Sequence, residues 1–222
     1  MSVVMVVAPH PDDETLGCGG TLLRHVSRGD SVHWLIVSEM DPTCFSAERI
    51  DRRSREIKQV ASAYGFASTN CLRFPASRLD EVPCNEMVAS ISAVVNHLKP
   101  EIIYLPFPGD AHTDHHAVYL ASVVATKWFR YPFVRRVLAC EILSETDFGL
   151  APDGLAFRPN SYVNISAWLD EKIAIMRLFE GEIGEHPFPR SDVAIRALAS
   201  LRGAQSGFVA AEAFMVLKEI AE

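Results

Sequence analysis

Apolar positions along the chain follow two patterns in turn. The run VVMVVA (Val3–Ala8) is continuously apolar and reads as a strand buried on both faces, and the apolar-rich SVHWLIVSE (Ser31–Glu39) reads as a second strand. Between them, TLLRHVSRG (21–29) has helical spacing and a glycine stop. AERIDRRSREIKQVASAYG (47–65) is charged on one face, apolar on another, and also closes on Gly. CLRF (71–74) reads as a short strand, and NEMVASISAVVNHLKP (85–100) as a helix stopped by Pro. EIIYLP (101–106) is another buried strand; the loop PFPGDAHTDH and a helix, HAVYLASVVATKWF (116–129), follow. The order β-α-β-α-β-α-β-α predicts an α/β fold, a mostly parallel sheet with helices on both faces. Past residue 134 the pattern loosens. A strand within VRRVLACEIL (134–143), a loop rich in Pro and Gly, helices at 168–179 and 192–201 and a last apolar stretch, AEAFMVLKEI (211–220), are expected. No linker, repeat or low-complexity segment interrupts the pattern, so residues 1–222 are expected to form a single domain.

Composition narrows the function. The formal net charge is −7, with no basic block, which argues against a nucleic-acid partner. No run approaches the length of a membrane span, and the first apolar stretch has neither the basic flank nor the cleavage site of a signal peptide. Cys18, Cys44, Cys71, Cys84 and Cys140 are odd in number and lack C-x-x-C spacing. They read as free thiols of a cytoplasmic protein.

The chemistry sits where two strands end. VVMVVA runs into HPDDE, and EIIYLP into a loop containing HTDHH. In parallel sheets, ligands bind beyond the carboxyl ends of strands, and this topology brings both loops to one edge. Taken singly, each residue is ordinary turn chemistry; two dense His/Asp clusters at two strand ends are not. His10 and Asp13, three apart in a loop kinked by Pro9 and Pro11, can converge on one point. With one histidine of the second loop they make a three-ligand set for a catalytic zinc. Asp12 is then free as a general base, and another histidine is free to polarise a carbonyl. His116 opens the following helix and is expected to face outward. His25, His33, His97 and His186 stand alone and read as surface or hydrogen-bonded core residues. A structural metal in a binding module would use four ligands, often Cys, and the cysteines avoid these motifs. LGCGGTL is a weak dinucleotide-binding candidate: G-x-G-x-x-G needs Gly at position 22, which is Leu22, and its glycines come too late after the strand. Those glycines are expected instead to let the chain pass close beneath the metal loop.

APHPDDETLGCGGTL together with HTDHHAV resembles the PIG-L/LmbE-like zinc-dependent de-N-acetylases. Weaker likenesses run through Arg53-x-x-Glu56, SYVNIS with Lys172, and AEAF near the C-terminus. The resemblance implies a Rossmann-like three-layer fold. It implies hydrolysis of the acetyl group from an N-acetylglucosamine-type substrate, free or conjugated, with a zinc-dependent amidase for a non-sugar amide or thiol-conjugate as the alternative. By matching position it makes His10, Asp13 and His115 the ligands of one Zn2+ per chain, a set that also accepts Fe2+ or Mn2+. Asp12 becomes the general base, His112 (in its protonated form) the oxyanion stabiliser, Asp114 its orienting partner, and Arg53 a sugar contact. Some desolvation of Asp12 is expected, to raise its basicity. Relatives of this kind also suggest a homo-oligomer, for which AEAFMVLKEI offers an apolar segment. Two segments depart from the family pattern, FPASRLDE and LFEGEIGEHPFPR, and both are expected to border the substrate.

Overall fold

A computed structural model describes residues 1–150 and 155–221. Seven strands form one sheet in the order β3-β2-β1-β4-β5-β7-β6. They are β1 (Val3–Ala8), β2 (Ser31–Glu39), β3 (Ser68–Pro75), β4 (Ile102–Leu105), β5 (Arg136–Cys140), β6 (Ser161–Asn164) and β7 (Ala211–Glu219). The first five are mutually parallel, and β7 runs antiparallel to both β5 and β6. Six helices are described: α1 (Asp13–Ser27), α2 (Ala47–Tyr64), α3 (Cys84–Leu98), α4 (Thr113–Val124), α5 (Leu169–Met176) and α6 (Asp192–Ser206).

The continuous apolar strands are explained by burial on both sides. Val4 and Val6 of β1, with Trp34 and Ile36 of β2, pack toward α1, α2 and α5. Met5 and Val7, with Leu35 and Val37, pack toward α3 and α4. Alternate residues of one strand thus serve opposite layers, which favours apolar side chains on both faces. AEAFMVLKEI lies largely in β7, whose first half pairs with β6 and second half with β5, with Ala211, Ala213 and Phe214 in the core. Much of its apolar character is used inside the sheet, and Met215, Val216 and Leu217 remain partly exposed.

Several boundaries differ from the sequence expectation. The structure starts α1 at Asp13, eight residues before residue 21, and α4 at Thr113 rather than 116. β3 begins at Ser68 rather than 71. The Pro- and Gly-rich loop after β5 lies partly outside the described residues. Glycine counts against a helix by propensity, yet Gly17, Gly19 and Gly20 are inside α1. Packing decides the matter. A Cβ at Gly17 would stand 2.9 Å from Cys140 and Ile142, and one at Gly20 2.8 Å from Ile165. These glycines let α1 lie close against the end of β5 and the segments that follow β5 and β6.

The helix is also broken. Cys18 has non-helical φ/ψ (−148°, 19°), which frees backbone groups on either side. Lys172 of α5 donates to the Leu16 carbonyl (2.9 Å), while Glu212 of β7 accepts from the amides of Gly20 (2.9 Å) and Thr21 (2.7 Å). Lys172 and Glu212 pair with each other at 2.7 Å, both buried. The kink is therefore stapled by a buried ion pair whose remaining valences are spent on α1.

Candidate metal centre

β1 and β4 are hydrogen-bonded parallel neighbours, so the loops leaving Ala8 and Leu105 emerge at one edge. The sheet order reverses there: β2 and β3 lie on one side, β4 and β5 on the other. That is the crevice where doubly wound sheets place ligands. The turn after β1 is strained. Asp12, the residue before α1, has φ 138°, a conformation that favours glycine. Two groups hold it there: Glu14 accepts the Asp12 amide (3.0 Å), and Arg53 donates to the Pro11 carbonyl (2.6 Å).

His10, Asp13 and His115 come together, with one donor atom from each within 4.8 Å of the others. Asp13 Oδ2 is 3.4 Å from His10 Nδ1 and 3.3 Å from His115 Nε2. Tetrahedral ligands with bonds of about 2.0–2.1 Å sit about 3.3–3.4 Å apart, so the spacing fits one small divalent ion. His115 gives a second test. Its Nδ1 is 2.8 Å from Asp110 Oδ2, which fixes the proton there, while Nε2 is buried with no hydrogen-bond partner. An orphaned imidazole nitrogen aimed at a carboxylate and a second histidine is what a metal ligand looks like without its ion. Burial works against charge on His10, but hydrogen bonds to Asp114 and Asp13 outweigh it and push the ring up to about 9. His115 is likewise held well above the usual range despite burial, chiefly by Asp13 and Asp110.

Asp12 lies outside this triangle. Its Oδ2 accepts from Arg190 Nη1 at 2.8 Å. Burial, reinforced by Asp13 and offset by Arg190, pushes its carboxyl up to about 7. His112 caps α4: its Nδ1 accepts the Asp114 amide at 3.1 Å. The ring therefore carries its proton on Nε2, which makes no hydrogen bond among the described residues. Burial, followed by the neighbouring His10, lowers its pKa, so it is a neutral donor rather than the protonated one expected. The side chain of Asp114 does not orient His112. Its Oδ2 accepts from His10 Nε2 (2.8 Å) and the Ser77 amide (2.7 Å), and its Oδ1 from the Leu79 amide (3.0 Å). It fixes His10 as Asp110 fixes His115.

Arg53 lines the cleft with both terminal nitrogens engaged. Besides Pro11 it pairs with Glu182, and its Nε lies 3.1 Å from Glu56 without hydrogen-bond geometry. His116 is exposed and turns away, with Nε2 2.6 Å from the Asp110 carbonyl. His25 is hydrogen-bonded at both nitrogens, to Asp30 and Tyr104. Residues that the motifs did not single out complete the centre: Asp110, Glu14, Glu182 and Arg190. For Asp110 a signal existed, a carboxylate five residues before His115 in the same loop. For Arg190 the only hint was the departure in LFEGEIGEHPFPR. Ala76 and Ser77 of FPASRLDE and Arg190 of that later segment all line the cleft.

The family model for PIG-L, GlcNAc-PI de-N-acetylase, matches residues 5–126, which hold the whole His/Asp constellation. The chain belongs to the PIG-L family. Among curated proteins, this PIG-L member is 25% identical to a diacetylchitobiose deacetylase of Thermococcus kodakarensis, over 94% of this chain and 80% of that one. Among solved structures it is similar to the conserved protein TT1542 of Thermus thermophilus, with TM-score 0.81 and 26% identity, covering 100% of this chain and 97% of the other. An N,N'-diacetylchitobiose deacetylase from Pyrococcus horikoshii shares the fold, with TM-score 0.79 at 17% identity over 98% and 84% of the two chains.

Proposed function

We propose that the protein is a metal-dependent hydrolase that removes the acetyl group from an N-acetylated amino sugar of the N-acetylglucosamine type, free or conjugated, releasing acetate and the amine. One observation carries the reading: a three-donor triangle, His10, Asp13 and His115, with a carboxylate and a neutral imidazole left over at the same cleft. Structural metals close their shell with four protein ligands, whereas a hydrolytic site keeps one position open. The family and its deacetylase relatives support the same reading.

The three ligands would hold Zn2+, or Fe2+ or Mn2+ in the cell, and a bound ion supplies Lewis acidity toward the acetamide carbonyl and toward water. The chain's own residues do the rest. Asp12 takes a proton from the attacking water and returns it to the leaving amine. Its elevated pKa suits both transfers near neutral pH. His112 donates from Nε2 to the oxygen that becomes negative. Asp110 and Asp114 keep the two ligand rings in the right tautomer. Glu14 and Arg53 hold the strained turn that separates Asp12 from Asp13. Arg53 thereby contributes as a wall of the sugar site and as a brace.

Five unpaired cysteines suit a reducing, cytoplasmic setting, and no described helix is long and apolar enough to cross a membrane. Self-association belongs to the proposal too, through apolar side chains outside β7: Leu120, Trp128 and Phe129 remain more than half exposed. Light scattering that returned only a 24.6 kDa monomer at micromolar concentration would overturn it. For the activity, the test is acetate release from a panel of N-acetyl hexosamines by zinc-loaded protein. No acetate from any of them, against release from a simple non-sugar amide, would transfer the reading to a general amidase.

A further inference from the structure

The cleft extends well beyond the metal centre, toward the β3 side of the sheet. One face of α2, with Arg49, Ile50, Arg53, Ser54 and Ile57 at helical spacing, forms a wall. The β2–α2 connection adds Met40 and Phe45. Four of these side chains, Met40, Phe45, Ile50 and Ile57, are apolar and only half-buried. Such a wall is poorly matched to a bare sugar ring, whose hydroxyls need hydrogen-bonding partners when they leave water.

The charges in the cleft are unequal in kind. Arg53 is neutralised by Glu56 and Glu182, and Arg190 by Asp12 and Glu182. Arg49 makes no ion pair among the described residues. Its guanidinium instead lies over the Phe45 ring, 5.1 Å from the centroid. It is a cation already ordered on an aromatic face, exposed, and without an ion-pair partner among the described residues.

We infer that this outer half of the cleft is a subsite for the group attached to the amino sugar, and that it selects an apolar aglycone bearing an anion, read by Arg49. The inference rests on the amino-sugar reading of the metal centre and specifies what that reading leaves open. Apolar contact with Met40, Ile50 and Ile57 supplies affinity; the guanidinium of Arg49 supplies the choice of charge.

Binding can be separated from turnover. The zinc-loaded Asp12→Asn protein is titrated calorimetrically with three β-glycosides of N-acetylglucosamine: methyl, phenyl and 4-carboxyphenyl. The phenyl glycoside should bind about tenfold more tightly than the methyl, from buried apolar area. The 4-carboxyphenyl glycoside should gain about a further fivefold, the scale of an exposed ion pair, and lose it in high salt. Adding Arg49→Gln should remove the second step and keep the first, and adding Ile50→Ser should shrink the first. Equal affinities for all three glycosides, no binding of any, or a carboxylate step that survives Arg49→Gln would overturn the subsite. Acetate release by the zinc-loaded wild-type protein from the same glycosides judges the other reading. Release without the affinity ladder overturns the subsite alone; the ladder without release upholds the subsite and overturns deacetylation.

Discussion

Asp12 and Asp13 are the same side chain one position apart, and their surroundings divide their work. Asp13 faces two histidines, which hold its carboxyl well below the usual range although burial pulls the other way. Asp12 faces Arg190 and is pushed up to about 7 by burial. Asp12→Asn should therefore bind one zinc per chain and lose roughly 10²–10⁴ in kcat, the share of a positioned acid–base group. Asp13→Ala and His115→Ala should lose the metal, since each removes one of three ligands. Zinc stoichiometry and kcat on one substrate check these together; Asp12→Asn losing the metal while Asp13→Ala keeps it would reverse the assignments. Asp110→Asn separates support from ligation. It should weaken zinc about 10–100-fold without abolishing the site, because it changes the partner of His115 Nδ1 and leaves all three ligands in place. His112→Ala should keep its metal and lose about 2.7–4 kcal/mol of transition-state stabilisation. The grouping of His10, Asp12, Asp13 and His115 at one cleft was legible in the sequence because these residues cluster within two short motifs. Arg190 was not, because its contact with Asp12 spans 178 residues and no local pattern encodes it.

At the level of elements, α1 shows where local reading stops. The strands of the parallel core were legible because burial on both faces leaves VVMVVA wholly apolar and gives SVHWLIVSE the apolar run WLIV at its centre. A different pattern made α2 legible, one charged and one apolar face closing on Gly65; the structure adds a Ser46 cap at its start and places Gly65 in the left-handed region. The first half of α1 was hidden, since three glycines in four residues forecast a loop. What makes it helical lies elsewhere in the chain: Cys140, Ile142 and Ile165 demand close approach, and Lys172 with Glu212 satisfies the backbone at the kink. Gly20→Ala tests this. A gain in helix propensity would stabilise an exposed site, but here the added methyl meets Ile165 at 2.8 Å. Urea unfolding should show a loss of about 1–3 kcal/mol, the usual cost of overpacking. Stabilisation instead would mean that α1 does not depend on that contact. Glu212→Gln should lower stability further, because it leaves Lys172 charged and buried without its partner.

For the molecule as a whole, metal, protons and stability are linked through the same two rings. In the metal-free protein His10 is raised from 6.5 to about 9, and His115 is raised well above its ordinary value. A histidine whose folded pKa is raised contributes stability that is complete below the unfolded value. That contribution is lost as pH climbs through the folded value. The metal-free fold should thus weaken between about pH 6.5 and 9, as protons leave Asp13 facing two uncharged rings. A divalent ion requires those rings neutral and replaces the lost charge, so binding expels protons and strengthens over the same interval. The rise in Tm on adding zinc should therefore grow from pH 6.5 toward pH 9 at fixed free zinc, through both weaker competition from protons and a less stable reference state. Calorimetric titrations at pH 7 in buffers of different ionisation enthalpy should count about two protons released per ion, one from each ring. A zinc-induced Tm shift that stayed flat or shrank with rising pH, or a titration releasing no protons, would show that His10 and His115 are not the groups the ion displaces protons from, and the triangle with Asp13 would have to be abandoned as the metal site.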